Sequence, residues 1–594
     1  MEKDRSSHVL FFPVPTQGHM NPMIKLAELL ALTGFRITYL NTHHNHERLI
    51  KFTNIAAHYE RYPGFEFKTI TDGLPPDHPR SGHWFMEMYE EATEMKIKQG
   101  LREMLVNISP PVDCMIVDAF LGFALDVAGE LGIPIVCFRT SSPCCFWTSY
   151  SIPAMIQAGE LPIEDMDRLI TTVPGMETIR KKLDDRGEKC IFIGYDERSK
   201  AYRLYNPLTK KLIILRDVEF DEAEYWIWSS EEKKIEGLFF NENQDDDDFI
   251  NQDEQGDDQG PQQNLIEPSS SRNNIETENP EVQPTEVRRS TRERRVPESY
   301  CRAADMEDTF IKLVVNRTLK SVQANALILN TAEELEGPIL SQIRTQCPNV
   351  YAIGPINALL KSRVDAKHGE SYHHFSNTLL EENKSCISWL DKQPNRSVTY
   401  ACFGSITSMS REQLIELWYG LVNSKSKFLL VVRPNSVIGK DGEEEDVVKE
   451  LFDKAKDQGY IVDWAPQEAV LNHPAVGSFL THSGWNSTLE GVVAGVPMIC
   501  WPYFADQQVN SRVVSEVWKI GLEMKDVCDR KILEKMVKEV MVDRKEEFAK
   551  SAAEMAKLAD QSVSVGGSSY SNLDRLIEDI KEMSLKTPQK VIVS

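Results

Sequence analysis

Two series of short, largely apolar runs, with helical stretches between them, constrain this chain more than any other feature. In the first series His8–Pro15, Phe35–Thr42, Asp113–Phe120 and Pro134–Thr140 have strand length, and Asn21–Thr33 and Phe123–Leu131 read as helices between them. A strand apolar on both sides must be covered on both sides, and intervening helices supply the cover. The pattern predicts a parallel, doubly wound sheet. Ala324–Thr331 and Val350–Gly354 read as two strands completing it. The second series, Ser397–Gly404, Phe428–Arg433, Tyr460–Trp464, Gly477–Thr481 and Pro497–Trp501, predicts a second sheet of the same kind, with helical spacing ending near Lys581. With 594 residues the chain is also too long for one core.

The first series is interrupted. After Arg180 the segments Cys190–Gly194, Ala201–Tyr205 and Lys211–Phe220 read as a small, hairpin-rich β unit. Asp221–Glu298 then turns acidic and rich in Gln, Asn and Ser, a composition that cannot bury enough surface to fold. Residues 221–260 hold 15 Asp/Glu against 2 Lys, so this one stretch supplies more than half of the chain's net charge of −24. That balance argues against a surface for nucleic acid or anionic membrane, and the basic run Arg288–Arg295 adjoins the acidic tract. The 11 cysteines are scattered without metal-ligand spacing, as reduced thiols would be. Val9–Val14 is broken by Pro13, and no later run approaches ~20 apolar residues. The expected location is cytoplasmic.

The stretch Trp464–Gln507, WAPQEAVLNHPAVGSFLTHSGWNSTLEGVVAGVPMICWPYFADQ, carries the densest chemistry. Val476–Thr481 reads as a strand, and His482-Ser483-Gly484-Trp485-Asn486-Ser487 as a sharp turn into a helix ending near Ala494. Free N–H groups at a helix start attract anions, and Gly484 allows close backbone approach. His482, Asn486 and Ser487 add polar groups at the same point. Glu490, one turn on, suits a ribose diol, and Asp506 and Gln507 after the next strand would face a sugar. All lie at the carboxyl ends of strands, where open α/β sheets bind ligands. Near the N-terminus, FPVPTQGHMNP places His19 between the first strand and its helix. Its ordinary pKa of ~6.5 suits a base, and Asp118 at the end of Asp113–Phe120 could orient it. Taken singly each has a plainer reading: Trp464 as a core aromatic, His482 and Glu490 as cap and surface residues, His19 as a helix cap, Asp118 as an N-cap.

In register, the 44 residues of Trp464–Gln507 resemble the signature box of plant secondary-product UDP-glycosyltransferases. The resemblance implies that Trp464 stacks on uracil and that Gln467 and Glu490 bind ribose. It implies that His482, Asn486 and Ser487, with the Gly484–Trp485 backbone and Ser405, hold the diphosphate, and that Asp506 and Gln507 hold the sugar. His19 and Asp118 match the family's catalytic pair. The family usually has Cys where this chain has Ser483. The implied fold is GT-B: two facing, doubly wound Rossmann-like α/β domains with a largely disordered insertion in the first. The expected segments are an acceptor domain over 1–180 and 301–356, an insertion over 181–300, a donor domain over 357–570, and a C-terminal helix and tail over 571–594. The implied activity is inverting transfer of a sugar, leaning to glucose, from a UDP-sugar to a small hydroxylated or carboxylated plant metabolite. It implies no cofactor, no metal, no nucleic-acid partner, no membrane span and a monomer. SVQANALILN (Ser321–Asn330) and PNVYAIGP (Pro348–Pro355) resemble the subfamily of cyanohydrin and iridoid glucosyltransferases.

Lys182–Tyr300 resembles part of a copia-type retroelement polyprotein. GEKCIFIGYDERSKAYRLYNPLTKKLIILRDVEFDE is similar to the segment after an integrase core, and RRSTRERRVPESY to the stretch before a reverse transcriptase. The catalytic residues of neither enzyme are present, which leaves no case for a nucleic-acid enzyme. Removing 181–300 leaves 474 of the 594 residues, a length usual in the family. The insertion falls where the family carries a short acceptor-side loop, so a weakly active or non-catalytic UDP-sugar-binding chimera is the rival expectation.

Overall fold

The computed structural model describes residues 6–75, 77–78, 80, 84–158, 191–196, 201–206, 211–215, 309–368, 377–434, 436–438, 458–524 and 528–586. By contact, the chain divides into two compact units: Met1–Arg180 with Arg295–Ser594, and Lys181–Arg294.

The larger unit contains two parallel sheets. The first is built from β1 (His8–Phe12), β2 (Arg36–Thr42), β3 (Phe65–Ile70), β4 (Cys114–Asp118) and β5 (Ile135–Arg139). The smaller unit contributes β6 (Ile191–Asp196), β7 (Ala201–Asn206) and β8 (Lys211–Leu215), an antiparallel three-stranded sheet in that order. β9 (Ala326–Leu329) and β10 (Val350–Ala352) then complete the first sheet in the order β10-β9-β5-β4-β1-β2-β3. The remaining strands are β11 (Val398–Cys402), β12 (Met409–Ser410), β13 (Lys427–Val431), β14 (Val437–Ile438), β15 (Gly459–Val462), β16 (Val476–Thr481), β17 (Met498–Cys500) and β18 (Gly521–Glu523). They form the second sheet, β15-β13-β11-β16-β17-β18, and a small β12-β14 pair.

Burial on both faces explains why these runs are mostly apolar. In β1, Leu10 and Phe12 enter one core while Val9 and Phe11 enter the core on the opposite face. The strand stops at Phe12 because Pro13 and Pro15 have no N–H to donate to a ladder. One apolar cluster runs from Leu10, Val117 and Leu329 of the first sheet to Tyr400, Phe479 and Met498 of the second. The C-terminal helix Ser568–Lys586 does not trail away as an appendage. It returns to the first sheet, burying Leu573, Leu576, Ile577 and Ile580 in the core that holds Val9 and Phe11. Asn572 Nδ2 donates to the Ala352 carbonyl at 3.0 Å.

Two expectations needed adjustment, and a third group was not tested. The first helix begins at Gln17, not Asn21, so His19 sits inside its first turn and Pro22 lies within the helix. β3 and β18, both at sheet edges, were not among the expected strands. The acidic tract Asp221–Glu298, the basic run Arg288–Arg295 and the joins near Thr178 and Cys301 lie outside the described residues. The helices on either side of the insertion, Pro143–Gln157 and Thr309–Ser321, pack against each other.

Candidate active site

The site forms where the carboxyl ends of the two sheets meet, and an unusual feature of the first helix joins them. Pro22 has no N–H, so the Gly18 carbonyl four residues earlier is left without its helical partner. Asn486, in the first turn of the helix Trp485–Val493, donates its Nδ2 to that carbonyl. Asn486 Oδ1 accepts from Asn330 Nδ2 at 3.3 Å, and Trp485 Nε1 donates to the Asn330 carbonyl at 2.8 Å. A buried ion pair, Lys25 with Glu468, spans the same seam. Burial alone would push the Lys25 ammonium down, but Glu468, Glu490 and Glu28 outweigh it and hold it raised.

On the first sheet's side, His19 Nδ1 lies 2.6 Å from Asp118 Oδ2, with Asp118 fully buried and His19 about 25 % exposed. Phe120 N donates to the other Asp118 oxygen at 3.0 Å. A buried carboxylate only accepts, so Nδ1 carries the proton and the Nε2 lone pair is left to act as a base. Thr140 Oγ1 sits 3.0 Å from the same Nδ1, and Phe120 lies edge-on to the imidazole. Neither Thr140 nor Phe120 stood out in the sequence, because each sits at the end of an apolar run.

On the second sheet's side, Gly484 caps the helix Trp485–Val493 with no side-chain hydrogen bond, leaving the first N–H groups without a capping oxygen. Residue Ser483 takes φ 62° to make the turn. His482 is wedged between two glycines: a Cβ at Gly404 or Gly484 would lie 2.6 or 2.5 Å from its Nε2. Burial, aided by the Arg433 guanidinium, pushes the His482 pKa down to about 4, so the ring is neutral at physiological pH. The ring therefore does not bring the positive charge that a diphosphate-holding histidine first suggests. Arg433 was not anticipated; it fixes the adjoining loop by donating to the carbonyls of Gly404 and Thr407 at 3.2 and 2.6 Å. Ser405, next to Gly404, is half-buried on that loop.

Gln467 Nε2 donates to Glu490 Oε2 at 2.7 Å and to Ser487 Oγ at 3.0 Å, with Tyr400 donating to Gln467 Oε1 at 3.3 Å. Trp464 packs half-buried at the end of β15. Asp506 accepts from Asn510 Nδ2 at 2.9 Å, and burial raises its pKa against the pull of Asn510, Arg139 and His19. The Gln507 side chain turns inward, its Oε1 accepting from the Tyr503 and Phe504 amides at 2.8 and 3.1 Å. Trp485 and Asn486 thus spend their side chains on the seam, and Gln507 spends its oxygen on its own loop. Among the described residues no three His, Cys, Asp or Glu side chains gather as a metal would require, and no helix is long and apolar enough to cross a membrane.

Comparison with known proteins decides the family. The chain is 41% identical over 590 residues to a 7-deoxyloganetic acid glucosyltransferase of Catharanthus roseus, covering 98% of this chain and 99% of that one. It belongs to the UDP-glucoronosyl and UDP-glucosyl transferase family. Residues 381–559 match that family directly. A myricetin 3-O-rhamnoside 1,2-glucosyltransferase of Crocosmia x crocosmiiflora is 37% identical over 98% of each chain. The solved structure of Os79 from O. sativa in complex with UDP superposes with TM-score 0.64 at 22% identity, covering 96% of this chain and all of that one. The fold is therefore GT-B, and the chain is a UDP-glycosyltransferase. Residues 171–234 match a different family, the retroviral polymerase SH3-like domain, so the β6–β8 unit is a retroelement-like insertion.

The depressed pKa of His482 has a measurable consequence. The unfolded chain protonates this histidine near 6.5 and the folded chain only near 4. Between those values the unfolded state binds the extra proton, so stability falls as pH drops, by up to about 3 kcal/mol. Denaturation at pH 7 and pH 5 should show a smaller loss for His482→Asn than for the parent chain.

Proposed function

We propose that this chain transfers glucose from UDP-glucose to a hydroxyl or carboxyl of a small plant metabolite, inverting the anomeric carbon and using no divalent metal. The observation that carries this reading is the His19–Asp118 pair set one residue from the Gly18–Asn486 contact, and so beside the uncapped start of the helix Trp485–Val493. In this reading His19 Nε2 takes the acceptor's proton as the acceptor oxygen bonds to the anomeric carbon. The bond from that carbon to the diphosphate oxygen breaks, and its electron pair leaves with UDP. The N–H groups at the helix start, with Ser405, Ser487 and the neutral His482, receive the growing negative charge without a cation. Asp118 keeps Nδ1 protonated and steadies the imidazolium. Trp464 stacks on uracil, the Gln467–Glu490 pair meets the ribose, and Asp506 and Gln507 meet the sugar hydroxyls. For Asn486 to reach a phosphate, its bond to Gly18 must be exchanged.

The relatives support the acceptor class: a small molecule of the 7-deoxyloganetic acid kind would fit the first of them. We place the enzyme in the cytoplasm, acting as a monomer without a nucleic-acid partner. The Asn486-Ser487-Thr488 sequon supports that location, because a glycan on Asn486 would obstruct the seam. A weakly active form is the second reading, favoured by the insertion's entry between two packed helices of the acceptor-side half.

Two outcomes are expected, both assayed with chelator present. His19→Ala should lower kcat by roughly 10²–10⁴-fold with little change in UDP affinity, whereas Glu490→Ala should weaken UDP binding first. Loss of UDP binding in His19→Ala with turnover intact would contradict the assignment. A chain joining Thr178 to Cys301 through a short loop should bind UDP as the parent does and transfer sugar about 10²-fold faster, since a displaced positioning segment costs about that much. Equal transfer rates would make the insertion a neutral bulge.

A further inference from the structure

Arg139, the last residue of β5, is among the largest fully buried side chains of the protein. A charged residue closing an otherwise apolar strand is unexpected, and its surroundings leave the end of its fork without a hydrogen-bond partner. Nε donates to Ser141 Oγ at 2.8 Å. Phe120 lies 4.4 Å from the guanidinium carbon and Phe146 5.8 Å, so aromatic rings attend its faces. Nη1 and Nη2, the open end of the fork, have no hydrogen-bond partner. Asp506 is a carboxylate within electrostatic reach, but it accepts from Asn510 instead. A buried guanidinium with both terminal nitrogens unsatisfied is costly to keep, and the fork matches a carboxylate's two oxygens.

Its position says which molecule brings the carboxylate. Phe120, whose ring covers Arg139, is the same ring that lies edge-on to His19, and Thr140 beside it touches His19 Nδ1. Phe120 is half-exposed, so a shift of its ring would open the fork to the space before His19. We propose that Arg139 is a specificity-determining residue that binds a free carboxylate on the acceptor while a different oxygen of the same molecule faces His19. The preferred acceptors are then hydroxy acids rather than their esters. This rests on the glycosyltransferase reading and narrows its acceptor class. The other source of a carboxylate would be the donor, as in a UDP-uronic acid.

The test pairs 7-deoxyloganetic acid and 4-coumaric acid with their methyl esters, using UDP-glucose and UDP-glucuronate as donors. Binding of each acid and ester to the UDP-saturated protein is measured by calorimetry alongside transfer, so slow turnover does not hide the answer. The parent chain should prefer acid over ester roughly ten- to hundredfold, the span of a charge-assisted hydrogen-bonded pair. Arg139→Met should bring that ratio near one, Arg139→Lys should keep part of it, and the Tm of Arg139→Met without ligand should not fall below the parent's. Equal affinity for acid and ester in the parent chain would overturn the proposal. So would a lowered Tm with acid and ester weakened alike in Arg139→Met, which would make Arg139 structural. Loss of UDP-glucuronate turnover in Arg139→Met with the acceptor preference intact would move the carboxylate to the donor and also overturn it. Failure of the underlying reading looks different: UDP itself would not bind any of these proteins.

Discussion

A missing hydrogen-bond donor organises the cleft. Because Pro22 cannot return a bond to Gly18, that carbonyl is open to Asn486 from the other sheet's helix. The Trp485–Asn330 bond and the Lys25–Glu468 pair stand beside it. Together with the shared apolar cluster they fix His19, one residue from Gly18, against the start of the helix Trp485–Val493. The His19–Asp118 pair on one sheet and the uncapped helix start on the other are brought together by this seam.

The electrostatics of that site rely on backbone and neutral groups. An uncapped nine-residue helix leaves its first N–H groups without a side-chain cap, and His482, held neutral by burial and Arg433, adds no charge beside them. Such dipoles are already oriented before charge develops, which is where preorganised sites gain most. Net charge follows the same separation. The chain's strong acidity is concentrated in residues 221–260, within the insertion, and not in the half that must accept a diphosphate.

The sequence made the two sheets legible because parallel strands are apolar on both faces, and β4, β5, β11 and β16 fall within a residue or two of where periodicity put them. β3 was missed although FEFKTI alternates, since an edge strand lacks the continuous run that marked the others. The first helix begins a turn before the expected Asn21, with Pro22 inside it, and the bond that Pro22 cannot make is replaced across the seam. Residue identities in Trp464–Gln507 were legible, but not their orientations. Nothing local tells that Asn486 turns to Gly18, or that Gln507 caps its own loop. Arg139 carried a signal, a lone charge in PIVCFRT, whose meaning depends on Phe120 from the neighbouring strand's end.

The helices Pro143–Gln157 and Thr309–Ser321, which flank the insertion in sequence, pack on each other, and the entropy of closing a loop between them grows only slowly with its length. The proposed reaction is a single displacement: one base, one anion site, no covalent intermediate on the protein. The most direct test is the anomeric configuration of the product formed from UDP-α-glucose, read by NMR before the product re-equilibrates. The account predicts the β-glucoside. An α-glucoside would contradict it, because a single attack opposite the departing UDP inverts the anomeric carbon.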